Sequence, residues 1–495
     1  MINRRNLLIG AATAGATSVF LDPVSFAEAA GGGAETRTLS GTIAYGAPDW
    51  VYIPLRIPAG VNRLTVTYGY DRPAVPAGVN GNALDIGYFD ESGIELGNAR
   101  GFRGWSGGFR TEFTISNSDA TPGYLPGPIR PGTHHIIVGP YTVAPQGLNW
   151  TITVTLSYGK DGPAFVPKHA PRRATGRGKA WYRGDMHLHT VHSDGRRLPE
   201  EVAAGAAAAG LDYFVSTDHN TSSAAGVWGN FAGPDLLIID GEEITTRNGH
   251  YTALGLPAGT WIDWRYRSVD GHLTKFVDEI HRVGGLAVAA HPQATCVSCG
   301  WRFGFAGLDA IEVWNGPWTL DDESVIAMWD ALLVAGKFIP AVGDSDAHSE
   351  PQVIGLPHNV VYADDLEKSA ILAAVKAGRT WIAESSAVNL TFTASTLRRK
   401  AGIGERLSAD RDEQVRIDLT VDGAPGSTVR LITDAGVRVN VPLPADGKVT
   451  WTTTPQNAAY VRAEVRRPVP TATTPDTMVA LTNPIFLGAV KHGGR

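Results

Sequence analysis

Gly184-Asp185-Met186-His187-Leu188-His189 runs directly into Thr190-Val191-His192-Ser193-Asp194-Gly195. Residues two apart on an extended strand face the same side, so His187 and His189 can reach one ion. Asp194 comes five residues later in a Ser-Asp-Gly turn, where ordinary turn chemistry is the competing explanation. A His-x-His pair alone is a weak signal. The stretches of chain beyond it decide the fold.

Pro199 opens a helix with Glu200 and Glu201 in its first turn, an alanine-rich body, and Gly210 at its end. Beyond it come near-continuous apolar runs at Tyr213 to Thr217, Leu236 to Ile239, Leu286 to Ala290, Ala310 to Trp314 and Phe338 to Val342. Such runs predict strands buried on both faces. Strands alternating with helical stretches predict a parallel α/β sheet, most simply a barrel.

Each predicted strand delivers a potential ligand at the same end. His219 closes Ser216-Thr217-Asp218-His219, Glu243 closes Gly241-Glu242-Glu243, and His250 comes after the Asn248-Gly249 turn. His291 precedes Pro292, and Asp346 and His348 lie beyond the last run. A single polar residue at a strand end reads as a cap or a satisfied core histidine. Repetition changes that reading, because a parallel barrel gathers those ends on one face. The nine candidates for metal binding are therefore His187, His189, Asp194, His219, Glu243, His250, His291, Asp346 and His348.

Several neighbours have two readings. Glu312 is a proton donor, a substrate contact, or a partner that orients a ligand histidine. Asp218 points either to the site or into the strand's hydrogen bonding, and His192 is expected to be exposed. Arg183, Arg196, Arg197 and Arg302 could hold a phosphate bidentately or be surface arginines. Trp301 and Trp314 either line an apolar pocket or pack. The run Gly101 to Gly108 either reaches over the barrel mouth or forms a surface loop.

The flanks have a different texture. From 36 to 158, short alternating runs such as Leu64 to Tyr68 and Trp150 to Leu156 are separated by Gly- and Pro-rich turns, which predicts a β-sandwich. Residues 159–179 are rich in Pro, Gly and basic side chains and predict an extended linker. Alternation returns over 388–490, with Val415 to Val421 and Tyr460 to Val465, and predicts a second β domain. Residues 1–29 read as an export signal: Arg4-Arg5 precede a weakly apolar stretch, and Ala27-Glu28-Ala29 offers a cleavage site. The paired arginines resemble a twin-arginine signal, so the protein is expected outside the cytoplasm, periplasmic or extracellular. No further segment is apolar enough to span a membrane.

The chain has 495 residues, a net charge of -6 and interspersed charges, which argues against a nucleic-acid partner. Its two cysteines, Cys296 and Cys299, suit a short disulfide in an oxidising compartment; a redox-active pair is the alternative.

The motifs His-x-His-Thr-x-x-Ser-Asp-Gly, Thr-Asp-His, Gly-x-Glu, Ala-His-Pro and Ser-Asp-Ala-His stand in order between Trp181 and Ala383. In this the chain resembles the PHP (polymerase and histidinol phosphatase) superfamily of metallohydrolases. The resemblance implies a distorted (β/α)7 barrel at 180–387, flanked here by the two β-sandwich-like domains, and two or three divalent metal ions. It implies that His187, His189, Glu243 and Asp346 hold one ion, and that Glu243 bridges to a second held by His250 and His291. Asp194, His219 and His348 would hold a third; some family members have histidine at the Asp194 position, so this site departs from their pattern. The flanking domains and export signal look similar to a secreted, carbaryl-hydrolase-like branch with ester and carbamate hydrolases. Polymerase-associated members are a poor match.

Imidazole and carboxylate ligands suit zinc, manganese or iron. A water bridging two such ions has its pKa lowered to about 7, giving a hydroxide nucleophile at neutral pH. No serine nucleophile is then required, and Ser193 and Ser345 shape the turns that present ligands. Glu243, Asp346 and His348 are the residues expected to carry catalysis. The expected function is hydrolysis of small phosphomonoesters or phosphodiesters. The alternatives are a carboxylester or aryl-carbamate hydrolase and a noncatalytic surface-binding protein that keeps its metals.

Overall fold

The computed structural model describes residues 19–20, 24–25, 33–469 and 476–488. The signal residues Arg4, Arg5 and Ala27-Glu28-Ala29 lie outside them. Among the described residues no helix is long and apolar enough to cross a membrane.

Nine strands form the middle of the chain: β1 (Ala180–Leu188), β2 (Tyr213–Ser216), β3 (Leu237–Thr246), β4 (Gly249–Leu254), β5 (Leu286–Ala290), β6 (Ala310–Asn315), β7 (Ala341–Asp344), β8 (His358–Ala363) and β9 (Thr380–Ala383). They lie in the order β7-β6-β5-β4-β3-β2-β1-β8-β9. The sheet curls so that its first and seventh strands meet at their ends: Leu188 bridges to Ala347, and Asp346 N donates to His187 O at 3.0 Å.

The expected (β/α)7 alternation is not what forms. The described residues contain four α-helices: α1 (Pro199–Ala208), α2 (Leu273–Arg282), α3 (Leu320–Val334) and α4 (Lys368–Lys376). β4 runs antiparallel to both β3 and β5, and β8 runs antiparallel to β1. The reason is local. Arg247 and Asn248 alone join β3 to β4, with Gly249 at φ 116°, and a two-residue connection can only make an antiparallel pair. Between β2 and β3 the Ser- and Gly-containing segment forms two short 3₁₀ turns, Ser223–Gly226 and Trp228–Asn230, in place of a helix. Continuous apolar runs report burial on both faces, and say nothing of strand direction.

Two sheets pack face to face over 34–158. One contains Ala34–Ile43, Leu148–Tyr158, Val61–Tyr70 and Glu112–Ser116; the other contains Val51–Ile57, Gly132–Thr142, Ala83–Phe89 and Phe102–Gly107. Leu55, Leu64, Val66, Ile136, Ile152 and Val154 fill the space between them. The second sheet is buried on its outer face too, where Tyr52, Phe89, Phe102 and Trp105 pack on Trp261, Trp264 and Phe276 of the central region. This second apolar layer fixes the N-terminal sandwich over the strand ends.

At the other side the central sheet continues without a break from β9 into Thr477–Thr482, Tyr460–Arg467, Thr428–Thr433 and Gly436–Pro442. A separate sheet of Lys400–Gly402, Asn389–Ser395, Val415–Asp422 and Lys448–Thr453 lies against this extension, with Phe392, Ile417, Leu419, Val429 and Val465 between. Residues 159–179 hold no regular element but are docked, Lys168 N donating to Gly226 O and Ala174 N to Leu366 O.

Candidate metal centre

The curl of the sheet brings the nine candidate ligands to one place. His187 lies at the end of β1 and His189 just beyond it, their rings 5.1 Å apart. Glu243 projects from β3 and His250 from β4. His291 and Asp346 come after β5 and β7 with φ of 29° and 49°, and Asn220 beside His219 has φ 54°. Left-handed backbone at three non-glycine residues lining one cavity is strain of the kind that functional sites hold in place.

Glu243 is the centre of the arrangement and is fully buried. Its Oε2 lies 3.3 Å from His187 Nε2 and 3.4 Å from His189 Nε2. Asp346 Oδ1 lies 3.3 Å and 3.0 Å from the same two nitrogens. A cation with ligand bonds of about 2.0–2.2 Å spaces adjacent donors roughly 3–3.5 Å apart, so His187, His189 and Asp346 fit around one ion, and Glu243 with His187 and His291 around a neighbouring one. The other oxygen, Oε1, is hydrogen-bonded to His250 Nδ1 at 2.9 Å and to His291 Nε2 at 3.2 Å. Asp194 Oδ1 lies 3.3 Å from His348 Nε2 and 3.5 Å from His219 Nε2. His219 Nδ1 also approaches Glu243 Oε2 at 2.8 Å, which links the third cluster to the first.

Buried atoms without partners show that the set fits metal. His187 Nε2, His189 Nε2, Asp194 Oδ1, Glu243 Oε2, His250 Nε2 and Asp346 Oδ1 have no hydrogen-bond partner among the described residues. Each such atom costs about 1–3 kcal/mol when left unsatisfied, and a shared divalent cation removes the cost for several at once. Burial pushes the Glu243 carboxyl up, but His219, His187 and His250 outweigh it and hold the group well below its ordinary range. Asp346 is likewise held low, by His187 and His348 against burial. Burial and the neighbouring His348 and His219 push His189 down to about 4, leaving a neutral imidazole suited to coordination.

The surrounding residues fix the ligands. Glu312 Oε1 faces His187 Nδ1 at 3.1 Å and its Oε2 accepts His291 N at 2.7 Å, so it is an orienting partner. Asp218 accepts from Thr190 N, Thr190 Oγ1 and Ser193 Oγ, each at 2.8 Å, and so ties down the turn carrying Asp194. Asp185, which the sequence motif does not single out, accepts from Ser345 Oγ at 2.5 Å and Ser345 N at 3.1 Å and joins β1 to the Asp346 loop. His192 corrects an expectation: it is buried, with Nδ1 2.8 Å from Ser223 Oγ, because the N-terminal sandwich covers that turn.

A cavity of about 590 Å³ opens onto the cluster. Arg183, Arg196, Arg197 and Arg302 do not line it, and neither do Trp301 and Trp314. Arg183 is directed to Val388 O and Asn389, and Trp314 packs on Trp318. The walls instead come from Trp264, Arg247 and the N-terminal sandwich, through Trp50, Asp85, Trp105 and Tyr141. The run Gly101 to Gly108 contributes the strand Phe102–Gly107, whose Trp105 to Gly108 end lines the cavity. Cys296 and Cys299 form a disulfide at its rim. Sequence periodicity carries no signal for these N-terminal contacts.

No family model and no curated protein matches the chain. Among solved structures it is similar to a two-domain protein of Bacteroides vulgatus predicted to contain a PHP-like metal-dependent phosphoesterase, at 16% identity over 65% of this chain and 100% of that one, TM-score 0.35. It is also similar to an amidohydrolase of Chromobacterium violaceum, at 22% identity over 35% and 89%, TM-score 0.26. A protein of Bifidobacterium adolescentis described as a candidate metal-dependent phosphoesterase matches at 18% identity over 38% and 92%, TM-score 0.27. At TM-scores this low, none of these likenesses bears on what the chain does.

Proposed function

We propose that this protein is an exported, metal-dependent hydrolase of the PHP type, acting on small phosphomonoesters or phosphodiesters. The observation that carries the reading is the convergence of eight imidazole and carboxylate side chains in overlapping clusters, with His250 beside Glu243 and buried donor atoms lacking protein partners. His187, His189, Asp346 and Glu243 would hold one ion, Glu243, His250 and His291 a second, and Asp194, His219 and His348 a third. Zinc, manganese or iron suits these donors. Such ions supply an activated water and polarise the substrate oxygen.

The chain's own residues do the rest. Glu312 accepts the Nδ1 proton of His187 and so presents its Nε2 toward Asp346 and Glu243. His348 Nδ1 is tied to Asp346 O at 2.8 Å, which turns its Nε2 toward Asp194. Turnover depends on Glu243, Asp346 and His348. The sandwich forms part of the cavity wall, and a space of about 590 Å³ suits a small-molecule substrate. A second reading, an aryl ester or carbamate hydrolase, is favoured by the aromatic walls Trp50, Trp105 and Trp264.

The test is hydrolysis of aryl phosphate monoester, phosphodiester, carboxylester and carbamate substrates sharing one leaving group, after reconstitution with zinc or manganese. Preferential phosphoester cleavage that His291→Ala abolishes is the expected result. Cleavage of the neutral esters alone would replace the first reading with the second.

A further inference from the structure

Arg247 sits in the two-residue connection between β3 and β4, four residues after Glu243 and three before His250, and it lines the same cavity. Its guanidinium carbon lies 4.9 Å from the ring centre of Trp50 and 4.6 Å from that of Tyr141. The side chain is only 9% exposed. Within this aromatic sandwich Nε and Nη2 have no hydrogen-bond partner. Nη1 finds only Asp85 Oδ2, at 3.6 Å, longer than a hydrogen bond. A buried charge so poorly paired is costly in a folded chain.

The holder is built by the N-terminal sandwich. Trp50 precedes the strand Val51–Ile57, Asp85 lies on Ala83–Phe89, and Tyr141 lies on Gly132–Thr142. Gly139 on that last strand makes the space: a Cβ there would stand 3.0 Å from Arg247 Nη2 and 2.9 Å from the Trp50 ring. Burial pushes the Asp85 carboxyl up to about 6 although Arg247 opposes it, the mark of a weak pairing.

We propose that Arg247, held between Trp50 and Tyr141, binds the phosphoryl oxyanion of the substrate, so that the active site is shared between the N-terminal sandwich and the central region. For the identity of the substrate this rests on the phosphoester reading above. A planar guanidinium matches two oxygens of a phosphoryl group, and its aromatic walls remove competing water. Asp85 keeps the charge partly compensated while the cavity is empty of substrate, and repels the anion when it enters. Phosphoester preference over neutral esters is then set by a residue outside the metal ligands.

The test is calorimetric binding of inorganic phosphate to the metal-loaded full chain, with metal content and Tm recorded for each variant. Arg247→Met is expected to weaken binding about tenfold or more, the worth of one charged hydrogen bond. Asp85→Asn is expected to tighten it severalfold, an effect that a purely structural ion pair would not produce. Should Arg247→Met fail to fold, Asp85→Asn and Tyr141→Leu carry the test, the latter expected to weaken binding. Unchanged phosphate affinity in Arg247→Met, or weakened affinity in Asp85→Asn, overturns the assignment. Arg247-dependent phosphate binding by a protein that cleaves no phosphoester leaves the assignment standing and removes the phosphoesterase reading. Undiminished phosphoester hydrolysis with unchanged KM in Arg247→Met does the reverse.

Discussion

At the scale of single residues the centre depends on who holds the ligands as much as on the ligands. Glu312 is nearly inaccessible and accepts on both oxygens, from His187 on one and from His291 N and Asn315 Nδ2 on the other, whereas an amide could accept on only one side. Glu312→Gln is therefore expected to weaken metal affinity about 10–100-fold, measured by competition with a chelator, while the fold persists. Removal of all metal with a strong chelator is expected to abolish hydrolysis and to lower Tm, because the unpaired buried atoms around Glu243 lose their shared partner. Restoration by zinc or manganese checks that the loss is reversible.

At the scale of elements, two contacts decide how the parts are joined. Trp264 lies 4.7 Å from Trp105 and 5.8 Å from Trp50, ring to ring, at the seam between sandwich and central sheet. Trp264→Ala is expected to cost about 3–5 kcal/mol, read from chemical unfolding. On the opposite side Arg462 pairs with Asp330 of α3 and with Glu464, and Arg466 pairs with Glu464 and Glu323. Burial pushes the Glu464 carboxyl up, but Arg462 and Arg466 outweigh it and hold it below its ordinary value. A carboxyl depressed on folding stabilises above its unfolded pKa and loses that contribution as pH falls through the folded value. Glu464→Gln is thus expected to be less stable than the parent by about 3 kcal/mol at neutral pH, with the difference shrinking in acid below the ordinary carboxyl range. A constant difference across pH would contradict the pairing.

The elements also differ in how far the sequence reveals them. Helix α1 is legible because Pro199, Glu200, Glu201 and Gly210 are local signals, and the strand-end ligands are legible because they repeat after four of the five apolar runs. The direction of β4 is written in Asn248-Gly249 but concealed by the apolar character of the strands around it. Asp85 and Arg247 are illegible as site residues for another reason: one lies on the N-terminal strand Ala83–Phe89 and the other between β3 and β4, and no periodicity encodes which face meets which.

At the scale of the whole molecule, the N-terminal sandwich lines the cavity over the Glu243 cluster and the C-terminal strands extend the central sheet. Trp261 and Trp264, which pack on Phe102, Trp50 and Trp105, would be exposed if the sandwich were removed. A chain beginning at residue 160 is accordingly expected to aggregate, judged by light scattering, where an independent lid would leave a soluble remainder. Whether the Glu243 cluster is a multinuclear metal centre is decided by elemental analysis of the desalted protein after reconstitution with zinc and with manganese, beside Glu243→Ala. About two or three ions per chain are expected in the parent, with loss of at least two in the variant. A parent that retains only traces of either metal, or a variant that binds as much as the parent, would contradict a metal centre built on Glu243.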